Sequence, residues 1–380
     1  MKIALAAPYD IKNPRSWSGT PRSLYTGLCS VKENEIDAIN LSEYHTDSLK
    51  KKNILSHIDL KRSIKSGHMI SKLGPACFNP LNSRLLNEIC GEKEYDVLIE
   101  FGGFQPGKNL PPYYVYTDSS HDMALDYYRL HGYLPYHNQY SLNEMEAAAE
   151  YVRTIYQNAA GVFCMSDYLA KVMIETSGVD ISRVHTVYAG ANWHGTDLPE
   201  IKKKSLEDKD KINILLTGVD YYGKGADILV EAMKLLHEKY GSKYILHLCG
   251  IREEIPREDY IVNHGFVDKN KLTEILQECD LFVLPSRFDC FGIAFVEAMT
   301  FGLPCIGRKI CAMPEIIDEG VNGELVTDDD PEKLVLLIEK ICSDSEIYNR
   351  YSRNAVEKAK RFTWENVCSD IMRIIKDDIK

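Results

Sequence analysis

Leu281 to Leu284 (LFVL) is a short apolar run closed by Pro285 and Ser286, a pattern that fits a strand of a parallel sheet buried on both faces. A helical pattern follows, in which Phe295, Ala298 and Met299 supply the apolar positions that pack on the sheet. Gly302, Leu303 and Pro304 then turn the chain into a second strand, Pro304 to Gly307. In a doubly wound sheet, the turn after a strand and the first turn of the next helix form the ligand crevice. The amides of Phe291, Gly292 and Ile293 fall there, where a helix start leaves N–H groups open to anionic oxygens. Asp289 falls at the mouth of this crevice and Glu297 deeper, able to accept two hydrogen bonds from vicinal hydroxyls. Asp289 reads equally as an ordinary acid near a helix start. Glu297 stands between Val296 and Ala298 in an otherwise apolar helix, where an unpaired carboxylate is costly.

The same strand, loop and helix order recurs along the chain. Lys2 to Ala7 reads as a strand, followed by a loop around Ser16 to Pro21 and by Leu24, Leu28 and Val31 at helical spacing. Gly19, with Thr20 beside it, permits a ligand to approach the backbone, although a single loop glycine is as readily structural. Asp96 to Phe101, Tyr113 to Thr117, Gly161 to Met165 and Val184 to Tyr188 read as further strands, and Glu144 to Asn158 as a helix. Tyr113 to Thr117 opens into Asp118, Ser119, Ser120, His121 and Asp122. His121 can donate to a sugar hydroxyl or serve structure alone. The tyrosine-rich stretch 127–140 offers rings of the kind that cover sugar faces or pack a loop.

From Thr196 to Lys211 the chain turns polar and lysine-rich, which marks a domain boundary. The pattern then restarts with Ile212 to Thr217 as a strand, the loop Gly218 to Gly225 (GVDYYGKG) and a helix from Ala226 to Tyr240. Lys224 sits at the helix start, where a cation opposes the helix dipole and calls for an anionic ligand. The spacing is not that of a P-loop. Two more strands (244–249, 261–266), a helix (271–279), a short helix with Glu315, two helices over 331–361 broken near Ser343, and a last amphipathic helix (362–380) complete the reading.

A length of 380 residues favours two domains, and a net charge of -11 argues against a dedicated nucleic-acid binder. The eleven cysteines show no paired C-x-x-C spacing and read as buried thiols rather than disulfides or zinc ligands. No run of eighteen apolar residues and no leader pattern is visible, so a cytoplasmic protein is expected. Residues 49–72 carry seven basic side chains against Asp59 alone, interleaved with Ile54, Leu55, Ile58 and Ile64. That segment reads either as a solvated surface or as a peripheral contact with anionic lipid at the inner face of the membrane.

The stretch PSRFDCFGIAFVEAMTFGLP (285–304), together with Gly218 to Gly225, resembles the retaining glycosyltransferases of the GT-B fold, glycosyltransferase family 4. Ser16 to Thr20, Asp118 and Gly190-Ala191-Asn192 are similar to its bacterial cell-surface glycan branch. The resemblance implies an α/β fold of two Rossmann-like domains facing across a cleft. Residues 1–200 would form the acceptor-binding domain, with the last helix (363–380) packed back on it, and 201–362 the nucleotide-sugar domain. It further implies transfer of a hexose, with retention, from a nucleoside-diphosphate sugar, a uridine one favoured, to a glycan, lipid-linked or protein acceptor. Glu297 would bind the ribose hydroxyls and Asp289 the donor hexose. Lys224, with Gly218 and the amides of Phe291, Gly292 and Ile293, would hold the diphosphate. Gly19 and Thr20 would close over phosphate and acceptor, and His121 would lie near the transferred sugar. No metal and no further cofactor is implied, since the nucleotide-sugar is a co-substrate and no D-x-D pair stands in a suitable loop.

Two positions depart from the family pattern. Asp289 stands where a glutamate is usual, and Val219 and Gly223 stand where a phosphate-loop arginine is often found, a charge that Arg252 can replace. Two readings compete with transfer. One is a nucleotide-sugar epimerase or hydrolase, which needs acid and base groups beyond His121. The other is a binding or regulatory subunit that keeps the fold without turnover.

Overall fold

The computed structural model describes residues 1–58, 60–66, 72, 74–76, 78–104, 107, 110–132, 134, 140–193, 205–206, 209–255 and 257–379. Parts of three sequence expectations lie outside them: 59 and 67–71 of the basic segment, 133 and 135–139 of the tyrosine-rich stretch, and 196–204 and 207–208 of the proposed boundary. The chain divides into two compact units, Met1–Ala189 with Trp364–Lys380, and Gly190–Thr363.

The first unit is built on six parallel strands in the order β2-β1-β3-β4-β5-β6. They are β1 (Lys2–Ala7), β2 (Glu35–Asn40), β3 (Val97–Glu100), β4 (Tyr113–Thr117), β5 (Gly161–Cys164) and β6 (Val184–Thr186). Central strands β3 and β5 are buried at every residue, because parallel strands joined by crossover helices are covered on both faces. The helices are α1 (Thr20–Ser30), α2 (Asp47–His57), α3 (Leu60–Ser66), α4 (Asn79–Cys90), α5 (His121–His131), α6 (Leu142–Asn158) and α7 (Asp167–Glu175). Their starts carry the expected caps: Ser120 and Ser166 accept hydrogen bonds from the amides of Met123 and Leu169, both at 3.0 Å. The C-terminal helix (Trp364–Asp378) packs on α1 so tightly that a Cβ at Gly27 would meet Cys368 Sγ at 2.5 Å.

The second unit has a second parallel six-stranded sheet. Its strands are β7 (Ile212–Thr217), β8 (Tyr244–Cys249), β9 (Ile261–Gly265), β10 (Leu281–Leu284), β11 (Cys305–Arg308) and β12 (Gly323–Val326). The helices are α8 (Ala226–Tyr240), α9 (Lys269–Glu278), α10 (Ile293–Thr300), α11 (Met313–Ile316), α12 (Pro331–Cys342), α13 (Ser345–Ala359) and, returning to the first unit, α14 (Trp364–Asp378). The order β12-β11-β10-β7-β8-β9 means that the chain leaves β7 in one direction and later returns to its other side as β10. That reversal leaves a crevice between the carboxyl ends of β7 and β10, the place where doubly wound sheets bind ligands. In the first unit the equivalent reversal lies between β1 and β3.

No helix among the described residues is long and apolar enough to cross a membrane. The ten described cysteines are free thiols, seven of them buried.

Candidate functional site

The switch point of the second unit collects the residues singled out from the sequence there. Gly218 to Gly225 leaves β7, and Pro285 to Gly292 leaves β10. The two loops are in backbone contact: Gly225 adopts φ +68° and a Cβ on it would come within 2.4 Å of the Pro285 carbonyl oxygen. A Cβ at Gly218 would fall 2.6 Å from Lys224 Cγ, so a bare glycine makes room for the lysine stem. Lys224 then extends across the crevice and donates a hydrogen bond to Asp289 Oδ2 at 2.8 Å. Both side chains are largely shielded, 17% and 13% exposed. The ion pair is therefore weakly screened, and it neutralises both charges while no ligand is bound.

Phe291 and Gly292 are buried, and Gly292 takes φ +81° immediately before α10. The first-turn amides from Ile293 onward open toward the same carboxyl end of the sheet. Glu297, one turn further, is half-buried among fully buried Phe295, Val296, Ala298 and Met299. Burial pushes its carboxyl up to about 7, against the backbone N–H and side-chain amide of Asn192, which donate to it, and the more distant charge of Lys269.

Arg287, which the sequence reading passed over, holds the two loops together. Its guanidinium donates to both Asp227 oxygens at 2.8 and 2.7 Å, to Asp329 Oδ2 at 2.8 Å and to the Tyr222 carbonyl, and it lies 3.7 Å from the centre of the Tyr222 ring. Its own backbone N–H donates to the Gly223 carbonyl at 2.9 Å. Arg308 adds a hydrogen bond to the Pro285 carbonyl at 3.3 Å and pairs with Asp329. Burial alone would raise the Asp329 carboxyl; Arg308 and Arg287 overcome it and hold the group below the usual carboxylate range. The one signal for Arg287 in the sequence was a cation set between the closing Pro285-Ser286 and Phe288. Arg252 is exposed and follows Gly250 at the end of β8.

In the first unit, Gly19 (φ +84°) ends a turn in which Trp17 and Ser18 also adopt positive φ, at 41° and 55°. Three successive left-handed residues place buried Thr20 at the start of α1. Trp17 Nε1 donates to Asp118 Oδ2 at 3.2 Å, and its ring meets Phe101 and Tyr116 edge-on. His121 is the first residue of α5 and half-buried, while its neighbour Asp122 is buried and paired with Arg153 and Ser177. Glu100, at the carboxyl end of β3, is a second residue missed from the sequence. Burial raises its carboxyl to about 8, and its Oε2 accepts the Gly103 N–H at 2.8 Å. Among the described residues, no group of three or more His, Cys, Asp or Glu could hold a metal ion.

Residues 197–358, rather less than half of the chain, match the family model described as glycosyl transferases group 1. An uncharacterised 41.2 kDa protein of the cps region of Klebsiella pneumoniae is 29% identical over 197 residues, 50% of this chain and 54% of that protein. The chain spans between 54% and 62% of the length of this and the next two curated relatives. Among solved structures, sucrose-phosphate synthase from Thermosynechococcus elongatus superposes with a TM-score of 0.71 at 15% identity, covering 99% of this chain and 98% of that one. The Anabaena protein HepE, in complex with UDP-glucose, superposes with a TM-score of 0.64 at 15% identity, covering 99% and 100%. The two Rossmann-like units have the GT-B fold. The family match and the curated relatives support a glycosyltransferase, and the structural likenesses support the fold.

Proposed function

We propose that the chain is a retaining hexosyltransferase of glycosyltransferase family 4, drawing on a nucleoside-diphosphate sugar, UDP-linked by preference. The observation that carries this reading is the Lys224–Asp289 pair across the switch point, with Glu297 one turn into the helix that follows Asp289. A cation beside open helix amides suits a diphosphate, and a half-buried acid on the same helix suits a ribose diol. The UDP-glucose bound by HepE, a protein of the same fold, supports the choice of nucleotide.

In the proposed reaction the bond from the anomeric carbon to the diphosphate oxygen breaks and the bond to the acceptor oxygen forms on the same face. The acceptor proton passes to the departing phosphate oxygen. Lys224, with the amides of Phe291, Gly292 and Ile293, stabilises the charge growing on the leaving group without recourse to a metal. Asp289 orients the hexose. Acceptor binding is assigned to the first unit, through Gly19, Thr20 and His121. The acceptor in this reading is a glycan, a lipid-linked or a protein-linked one, of the kind used in polysaccharide biosynthesis.

Thermal-shift measurements with UDP-, GDP- and ADP-sugars test the donor assignment. A ligand at a hundred times its Kd stabilises by about 2.7 kcal/mol, a shift easily read in melting temperature. We expect UDP-glucose to give the largest shift and Glu297→Ala to abolish it while the unliganded melting temperature stays near that of the parent. A full shift in Glu297→Ala removes Glu297 from the donor site.

The protein is further proposed to act in the cytoplasm, at the inner face of the membrane. In the described part of 49–72, Leu60 and Ile64 are 69% and 81% exposed beside Lys61. Flotation with phosphatidylglycerol vesicles should recover the parent protein. Each lysine near an anionic surface contributes about 1 kcal/mol, so changing Lys50, Lys51 and Lys52 to Glu should weaken recovery well beyond tenfold. Equal recovery of the two proteins ends the membrane assignment.

A further inference from the structure

Gly190 to Trp193 belongs to the second unit, and its contacts there are specific. The Ala191 N–H donates to the Phe362 carbonyl at 3.2 Å, and the Phe362 ring meets Phe291 edge-on at 5.8 Å. On the other side of Asn192, the Trp193 ring packs edge-on against Phe301 at 5.2 Å, just after α10. Its Nε1 donates to Thr273 Oγ1 on α9 at 3.4 Å, and the Lys269 ammonium lies 5.6 Å over its face. Asn192 is thus clamped from both neighbours, and it presents two N–H donors, one backbone and one side-chain, to Glu297.

We propose that Asn192 is the positioning residue of the donor site: its two N–H groups fix the Glu297 carboxyl so that the remaining lone pairs face the ribose hydroxyls. This rests on the donor-site reading above. A carboxylate offers about four acceptor positions. Two taken by Asn192 leave two, the number a vicinal diol requires. Asn192 itself is half-exposed, and α10 is already anchored by four fully buried apolar residues, so packing gives no reason for a double hydrogen bond at this place. The charged group that reaches Glu297 from the packed elements is Lys269 of α9. Asn192 and Lys269 favour the ionised form, which accepts the diol; burial opposes it.

The test is calorimetric titration of UDP-glucose between pH 5.5 and 9, a range in which the diphosphate does not change charge; the uracil N3–H begins to ionise only at its upper end, equally for parent and variants. In the parent, affinity should rise with pH through about 7, the region where burial places Glu297. Asn192→Ala removes one donor. Its midpoint should move up by about one pH unit, with affinity down about tenfold at pH 7 and recovered to within about threefold at pH 9. Asn192→Asp sets a second carboxyl against Glu297 and should move the midpoint further. Asn192→Ser, which keeps a short donor, should fall between parent and alanine and serves should the alanine variant lose stability. An unchanged midpoint in the alanine and serine variants, or an equal loss at every pH, overturns the positioning role while leaving the donor site standing. A parent protein that binds no UDP-, GDP- or ADP-sugar overturns the donor reading itself, and this inference with it.

Discussion

Lys224→Ala should lower hexose transfer by about 100- to 1,000-fold, the effect of removing one preorganised charge from a developing oxyanion. The loss follows from the ion pair it makes. With Lys224 present, the pair with Asp289 leaves the crevice neutral; without it, a shielded carboxylate confronts an incoming diphosphate. The variant should therefore weaken donor binding as well as turnover. Asp289→Asn has the opposite sign for binding: freeing Lys224 should tighten UDP severalfold, while transfer falls because the hexose exchanges a charged acceptor for a weaker, neutral one. Lys224→Arg should not restore activity. The lysine stem runs against Gly218, and a planar guanidinium cannot follow the path of a compact ammonium. Transfer within threefold of the parent in Lys224→Ala would sink the assignment of this lysine to the leaving group.

How far this site was legible in the sequence depended on how local its signals were. The run Leu281 to Leu284 appears as β10, and the helix carrying Glu297 as α10, because apolar patterning and the Pro-Ser closure act within a few residues. Lys224 and Asp289 were each visible as charges beside a glycine loop or a helix start. Their 2.8 Å bond was not, since 65 residues separate them and only the β7–β10 reversal unites them. Asn192 stood out only as part of Gly190-Ala191-Asn192; its bonds to Glu297, more than a hundred residues away, were hidden for the same reason. In the fold, β2 was missed. Its sequence EIDAIN is an edge strand with one fully buried residue, so it lacks the continuous apolar run that marked its neighbours. Glu100 was read only as the tail of a strand; its neutralising burial comes from the elements that close over β3, which no local pattern encodes.

Arg287→Met should be the most destabilising single change at the site, by about 3 kcal/mol, although it touches no proposed ligand. Arg287 is 4% exposed and spends its donors on Asp227, Asp329 and the Tyr222 carbonyl. Methionine fills much of the volume yet leaves that carbonyl and the Asp227 carboxylate without their guanidinium partner, while Asp329 keeps only Arg308. The carboxylates are 31% and 47% exposed and can turn to water, which keeps the cost below that of a fully buried pair. The loop Gly218 to Gly225 cannot compensate so easily, because the Arg287 guanidinium also stacks on Tyr222, and only the backbone bond from residue 287 to Gly223 survives the change. The melting temperature should therefore drop by several degrees, and the response to UDP-glucose should weaken even when measured well below the new transition. Asp227→Asn, which retains a neutral acceptor, should show the smaller stability loss and a nearly intact ligand response. If Arg287→Met instead melts within about one degree of the parent and binds UDP-glucose normally, the loop holds its shape without the guanidinium. Lys224 would then owe its position to Gly218, Gly225 and its bond to Asp289 rather than to Arg287.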